Sequence, residues 1–240
     1  MIAQTILLIH GAWHGAWAWE AVADLLRSTG HTVLVPTLAG SGERSDEIAE
    51  SVSLESQVAE LAEMIENQRE PVVIVAHSLG GVHATLLADR LAPRIARLVL
   101  IDAEVPEDGE CALGPLPIAS AYQELIEAFR IGPNRLAPLP IEFFGLPEGT
   151  LRDAQAAQLR PHPERAFTDP VCLSNRPLNG LPCIYLLATD PPSEDGKLYA
   201  VAKRLAKESG VRTIEVPASH MMLLSHPERI VELILNGKQG

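Results

Sequence analysis

Ser78 sits inside residues 71–81, PVVIVAHSLGG, where a β-branched run gives way to one hydroxyl, two glycines and a helical pattern through Val82, Leu86, Leu87 and Leu91. That order predicts a strand, a sharp turn and a helix with the serine at the apex. In a nucleophile elbow, G-x-S-x-G, small residues around the serine let strand and helix approach closely. Here the window is Ala76-His77-Ser78-Leu79-Gly80, with alanine in the first place. The start of the following helix would set free N–H groups and the positive end of its dipole beside Ser78, which suits a developing oxyanion. The same residues also fit a plain turn with serine as N-cap. Its possible partners therefore carry the decision.

A serine nucleophile needs a base, and the base needs an orienting acid. His220 follows an apolar run at 211–216 and precedes a helical pattern from 227, so it falls at the end of a strand. His226, beside Pro227 at a helix start, reads as a surface or capping residue. Two acids compete. Asp102 ends the run IARLVLID, and Asp190 follows the run PCIYLLA; Asp102 is preferred, with Asp190 kept as the alternative, Asp195 later in the same loop and Glu104 more remote. The run TILLIH ends in Gly11-Ala12-Trp13-His14-Gly15, a turn that would expose backbone N–H groups. The N–H groups of Ala12 and Leu79 are the expected oxyanion donors. Gly11, Trp13 and Met221 are expected to touch substrate. His10 and His14 lack a nearby carboxylate or cysteine partner and are read as structural.

These residues must be carried by a scaffold. Apolar strand-type runs at 5–10, 31–36, 71–77, 95–102, 182–188 and 211–216 alternate with helical patterns at 16–28, 54–68, 82–91, 196–209 and 227–235. That alternation predicts a mostly parallel central sheet flanked by helices, and ligands in such sheets bind at the carboxyl ends of the strands. Ser78, Asp102 and the Gly11 turn all fall on that edge. From 104 to 180 the pattern changes to a proline-dense stretch with helical pieces near 120–130 and 150–159. It reads as a mainly helical cap inserted over the site. The division is a core of 1–103 and 181–240 with a cap of 104–180.

With 240 residues, 47% hydrophobic and 21% charged, the chain can bury one substantial core. A formal net charge of -12 argues against nucleic acid or an anionic membrane as partner. Neither phosphate-cradle glycine pattern occurs, no apolar run approaches the roughly 20 residues of a spanning helix, and the N-terminal run lacks a signal peptide's basic flank. Three cysteines, Cys111, Cys172 and Cys183, make an odd count without metal-ligand spacing. The expectation is a cytoplasmic protein with reduced thiols, no metal or organic cofactor, and a monomeric or homodimeric state.

Taken together, HGAWHGAWAW, AHSLGG, LIDAEVPEDG and SHMMLLSHPE resemble the α/β-hydrolase superfamily, in particular the branch of small carboxylesterases, plant methyl-ester esterases and hydroxynitrile lyases. The resemblance runs nearly end to end and is weakest across the cap. It implies the order Ser78, acid, His220 and a serine hydrolase that cleaves a small or medium ester through an acyl-enzyme. The acid departs from the usual place, since Pro191 stands where the aspartate after the 182–188 strand is expected; Asp102 sits in the seat used by other members. Lyases of this branch carry threonine and lysine where this chain has Gly11 and Met221, which favours esterase. A hydroxynitrile lyase, a biosynthetic thioesterase and a non-catalytic ligand-binding protein of the same fold remain alternatives.

Overall fold

In a computed structural model the chain is described over residues 3–48, 50–191 and 196–236. Strand β1 (Thr5–Ile9) is apolar on both faces and leads through a short 3₁₀ turn at Ala16–Trp19 into helix α1 (Glu20–Ser28). Strand β2 (Thr32–Leu34) follows. Helix α2 (Leu54–Glu66) begins on a reciprocal cap, Ser53 Oγ accepting from the N–H of Ser56 while Ser56 Oγ accepts from the N–H of Ser53. Strand β3 (Val72–His77), whose residues are all buried, feeds helix α3 (Gly80–Leu91), and strand β4 (Ile95–Ile101) comes next. Continuous burial of Val, Ile and Leu is what a parallel strand covered on both faces requires.

Between β4 and the next core strand lie helix α4 (Ser120–Phe129), strands β5 (Arg130–Gly132) and β6 (Arg135–Leu136), helix α5 (Thr150–Gln158), strand β7 (His162–Pro163) and the short helix α6 (Arg165–Thr168). The core pattern then resumes with β8 (Cys183–Ala188), α7 (Lys197–Leu205), β9 (Val211–Val216), the single turn α8 (Met222–Ser225) and α9 (Pro227–Asn236). Six strands form one sheet in the order β2-β1-β3-β4-β8-β9, every neighbouring pair parallel. This is the α/β-hydrolase fold.

The stretch between β4 and β8 holds far more helix than strand, and β5, β6 and β7 add a small antiparallel sheet that the sequence reading did not anticipate. Strands reading RIG, RL and HP are too short to show a period-two pattern, so composition gave no sign of them. This stretch is tied to the rest of the chain by backbone and side-chain bonds: Arg160 N–H to the Trp13 carbonyl at 3.1 Å, Asn134 Nδ2 to the Val52 carbonyl at 2.7 Å and Arg135 to the Ser45 carbonyl at 3.0 Å. Among the described residues no helix is long and apolar enough to cross a membrane.

Candidate active site

Ser78 lies between the end of β3 and the start of α3 with φ of 51°, a left-handed conformation that a non-glycine residue adopts only under constraint. The constraint is visible. Its N–H donates to the Ile101 carbonyl at 3.1 Å, and its own carbonyl accepts from Gly81 and Glu104, each at 3.0 Å. A Cβ on Gly81 would come 2.2 Å from the Glu104 carbonyl oxygen, so only glycine lets the helix start that close to the chain leaving β4. The Gly11 turn presses on the other side, where an added Cβ would lie 2.9 Å from the Ser78 Cβ. Gly11 lines the cavity, and its observed necessity is this close approach.

Asp102, 5% exposed, also has a positive φ, 44°. Its N–H donates to the Leu186 carbonyl at 2.7 Å and its Oδ1 accepts from the Ala188 N–H at 3.2 Å. The following residue is clamped by Tyr185 of β8, whose hydroxyl accepts from the Ala103 N–H at 3.1 Å and donates to the Ala103 carbonyl at 2.9 Å. The other oxygen, Oδ2, lies 2.6 Å from Nδ1 of His220, across 118 positions of sequence. A bond this short between a carboxylate and an imidazole fixes the proton on Nδ1 and leaves Nε2 as the basic nitrogen.

His220 is held from behind as well. The Nε2–H of His77 donates to the His220 backbone carbonyl at 3.0 Å, and the two rings pack with centroids 4.6 Å apart. Burial, then the nearby His220, pushes the His77 pKa well below the usual imidazole value, so it stays neutral and serves as a fixed donor. Asp190 lines the cavity, but its one observed bond is its backbone N–H to the Ala218 carbonyl. Glu104 is directed elsewhere, to Lys197 at 2.6 Å. Asp195 lies outside the described residues.

Ala12 and Leu79 both border the cavity, and among the described residues no acceptor is observed for the backbone N–H of either. Trp13 borders it too, packed against Phe144 and Phe167 at 6.1 and 5.3 Å. Met221 does not. It is fully buried in the hydrophobic core at the start of α8, which corrects the expectation that it touches substrate: the chain turns at His220, so the next side chain points inward.

His10 and His14 are buried and locally bonded. His10 donates from Nδ1 to the Gly11 carbonyl and accepts the Leu38 N–H on Nε2, while His14 donates from Nδ1 to the Ala12 carbonyl. Burial lowers their pKa values to about 4 and about 3, so both are neutral props of the turn. Sequence reasoning missed Tyr185 and the propping role of His77. The one sign of the first was a tyrosine in the otherwise apolar strand CIYLLA; the second needed the tertiary contact.

Above these groups lies a cavity of about 490 Å³ roofed by α4 and the Ile141–Phe144 turn, with Leu125, Ile126, Phe129, Leu139 and Phe143 on its wall. Among the described residues its charged lining comprises Asp102, Glu104, Glu142 and Asp190 against the single ammonium of Lys197. Such a surface repels anions and accepts neutral apolar molecules.

The family model described as "Alpha/beta hydrolase family" matches residues 6–233. A "Carbendazim hydrolyzing esterase" of Nocardioides sp. (strain SG-4G) is 30% identical over 235 residues, 94% of this chain and 96% of its own length. A "Methyl jasmonate esterase 1" of Vitis vinifera is 35% identical over 122 residues, 50% of this chain and 44% of that one. Among solved structures, an extracellular alpha/beta-hydrolase from a Paenibacillus species, described as sharing structural and functional homology with tobacco salicylic acid binding protein 2, superposes with a TM-score of 0.80. It is 25% identical, and the match covers 99% of this chain and 100% of that one.

Proposed function

Since the chain belongs to the alpha/beta hydrolase family, we propose that it is a carboxylesterase-type serine hydrolase in which Ser78, His220 and Asp102 act as nucleophile, base and orienting acid. The observation that carries the assignment of the acid is the 2.6 Å bond from His220 to Asp102. Ser78 attacks the carbonyl of a neutral ester while Nε2 of His220 takes its proton; Asp102 stabilises the imidazolium that forms. The free N–H groups of Ala12 and Leu79 receive the oxyanion. His220 returns the proton to the leaving alcohol, then activates water to release the acid. The chemistry calls for no metal or organic cofactor.

The esterase reading gains over the lyase from Gly11, because a threonine there would drive its Cβ against the Ser78 Cβ unless the turn moved. Met221, buried and uncharged, offers no ammonium to a departing cyanide. The free thiols Cys111, Cys172 and Cys183 favour a reducing compartment and so the cytoplasm.

Hydrolysis of p-nitrophenyl esters by the wild type and by Ser78→Ala tests the reading. Turnover of short and medium esters by the wild type, with a loss of at least about 10³-fold in the variant, is expected. Wild-type inactivity with cyanide release from mandelonitrile would point to a lyase, and saturable binding without turnover to a binding protein.

A further inference from the structure

A second cavity, of about 460 Å³, lies against the first, and Glu104, Ala112, Leu113, Tyr122 and Lys197 line both. The polar part of this shared wall is one cluster. The Lys197 ammonium sits 2.6 Å from the Glu104 carboxylate and donates to the Ala112 carbonyl. Lys197 is the first residue of α7, and Glu104 follows the strained turn at Asp102 by two positions, so the pair straps the chain leaving β4 to α7. Both side chains are mostly covered, at 30% and 20% exposure. Beyond the strap the second cavity is largely apolar, with Val105, Pro106, Cys111 and Val201 on its wall, while of its other charged residues Glu107 and Arg204 pair with each other at 2.8 Å and Glu110 accepts the Glu107 N–H.

We propose that the Lys197–Glu104 pair determines substrate length: it closes one end of the reaction cavity, and the second cavity is the room a longer aliphatic ester would need. The proposal rests on the serine-esterase reading. An alkyl chain passing this point would separate two half-buried charges and leave each facing apolar surface, which is costly. A chain that stops short of it leaves the pair intact. The substrate class is therefore neutral esters whose apolar portions fit within a single chamber.

The test compares p-nitrophenyl acetate with p-nitrophenyl decanoate in the wild type, in Glu104→Ala/Lys197→Ala, and in the same double variant with Ala200→Trp added. Removing both charges strands neither, and a tryptophan at 200, on the part of α7 that lines only the second cavity, refills that space. The double variant is expected to raise the decanoate-to-acetate ratio of kcat/KM at least about 10-fold, mainly through KM, since two newly buried methylenes suffice for that. Adding Ala200→Trp is expected to return the ratio toward wild type. An unchanged ratio in a folded double variant, or a gain that survives Ala200→Trp, overturns the proposal. Should the alanine pair fail to fold, Glu104→Gln/Lys197→Met keeps the volumes without the charges, and a ratio unmoved there overturns it equally. Failure of the esterase reading looks different: the wild type leaves acetate intact, or acetate turnover survives Ser78→Ala.

Discussion

Ser78 at φ of 51° and Asp102 at 44° sit in backbone conformations that cost energy. Asparagine tolerates the left-handed region as aspartate does, so Asp102→Asn removes the charge without disturbing the turn. It is expected to lower kcat by about 10⁴-fold, with Tm near wild type. Asp190→Asn, whose carboxylate makes no observed bond to His220, is expected to stay within a few-fold. The reverse pattern in kcat would transfer the acid's role to Asp190. The chemical types and chain order of Ser78 and His220 were legible in the sequence, because an elbow and a strand-end histidine are local patterns. The choice between the two aspartates was not, since a 2.6 Å contact across 118 positions leaves no local trace.

At the level of elements, the site depends on how closely α3 approaches the chain leaving β4. Gly81→Ala would place a methyl 2.2 Å from a backbone carbonyl that cannot swing away. Relief requires α3 or the turn at Asp102 to move, at a cost of about 1–3 kcal/mol. A Tm lowered by several degrees is expected, together with a fall in kcat, because the same movement displaces Asp102. A variant as stable and active as wild type in a melting and ester-hydrolysis assay would show that the packing tolerates the extra atom. The glycines of the elbow were readable from its motif, whereas the Tyr185 clamp joins β8 to the residue after Asp102 and appears only once those strands are neighbours.

For the whole molecule, the notable burden is buried neutral imidazole. His10, His14 and His83 have pKa values lowered to about 4, about 3 and about 4, and those of His77 and His162 lie well below the ordinary value, all chiefly through burial. In the unfolded chain these groups titrate near 6.5. Below that pH the unfolded state binds more protons than the folded one, so stability is fully present above about pH 6.5 and is lost as pH falls toward 4. Each such group removes up to about 1.4 kcal/mol per pH unit in that window. Cooperative loss of near-UV circular dichroism is expected between about pH 6 and 4, and a Tm flat across that range would refute it.

The sequence by itself determined the alternation of buried strands and amphipathic helices, and with it a parallel sheet whose carboxyl edge gathers Ser78, Asp102 and the Gly11 turn. Hydrophobic period and turn chemistry are local properties, readable one stretch at a time. Only the tertiary structure decided which aspartate meets His220, that Met221 turns into the core, that the stretch between β4 and β8 carries a small sheet and that Lys197 pairs with Glu104. These are contacts between segments distant in the chain. They depend on distances that arise only when the sheet and cap have packed.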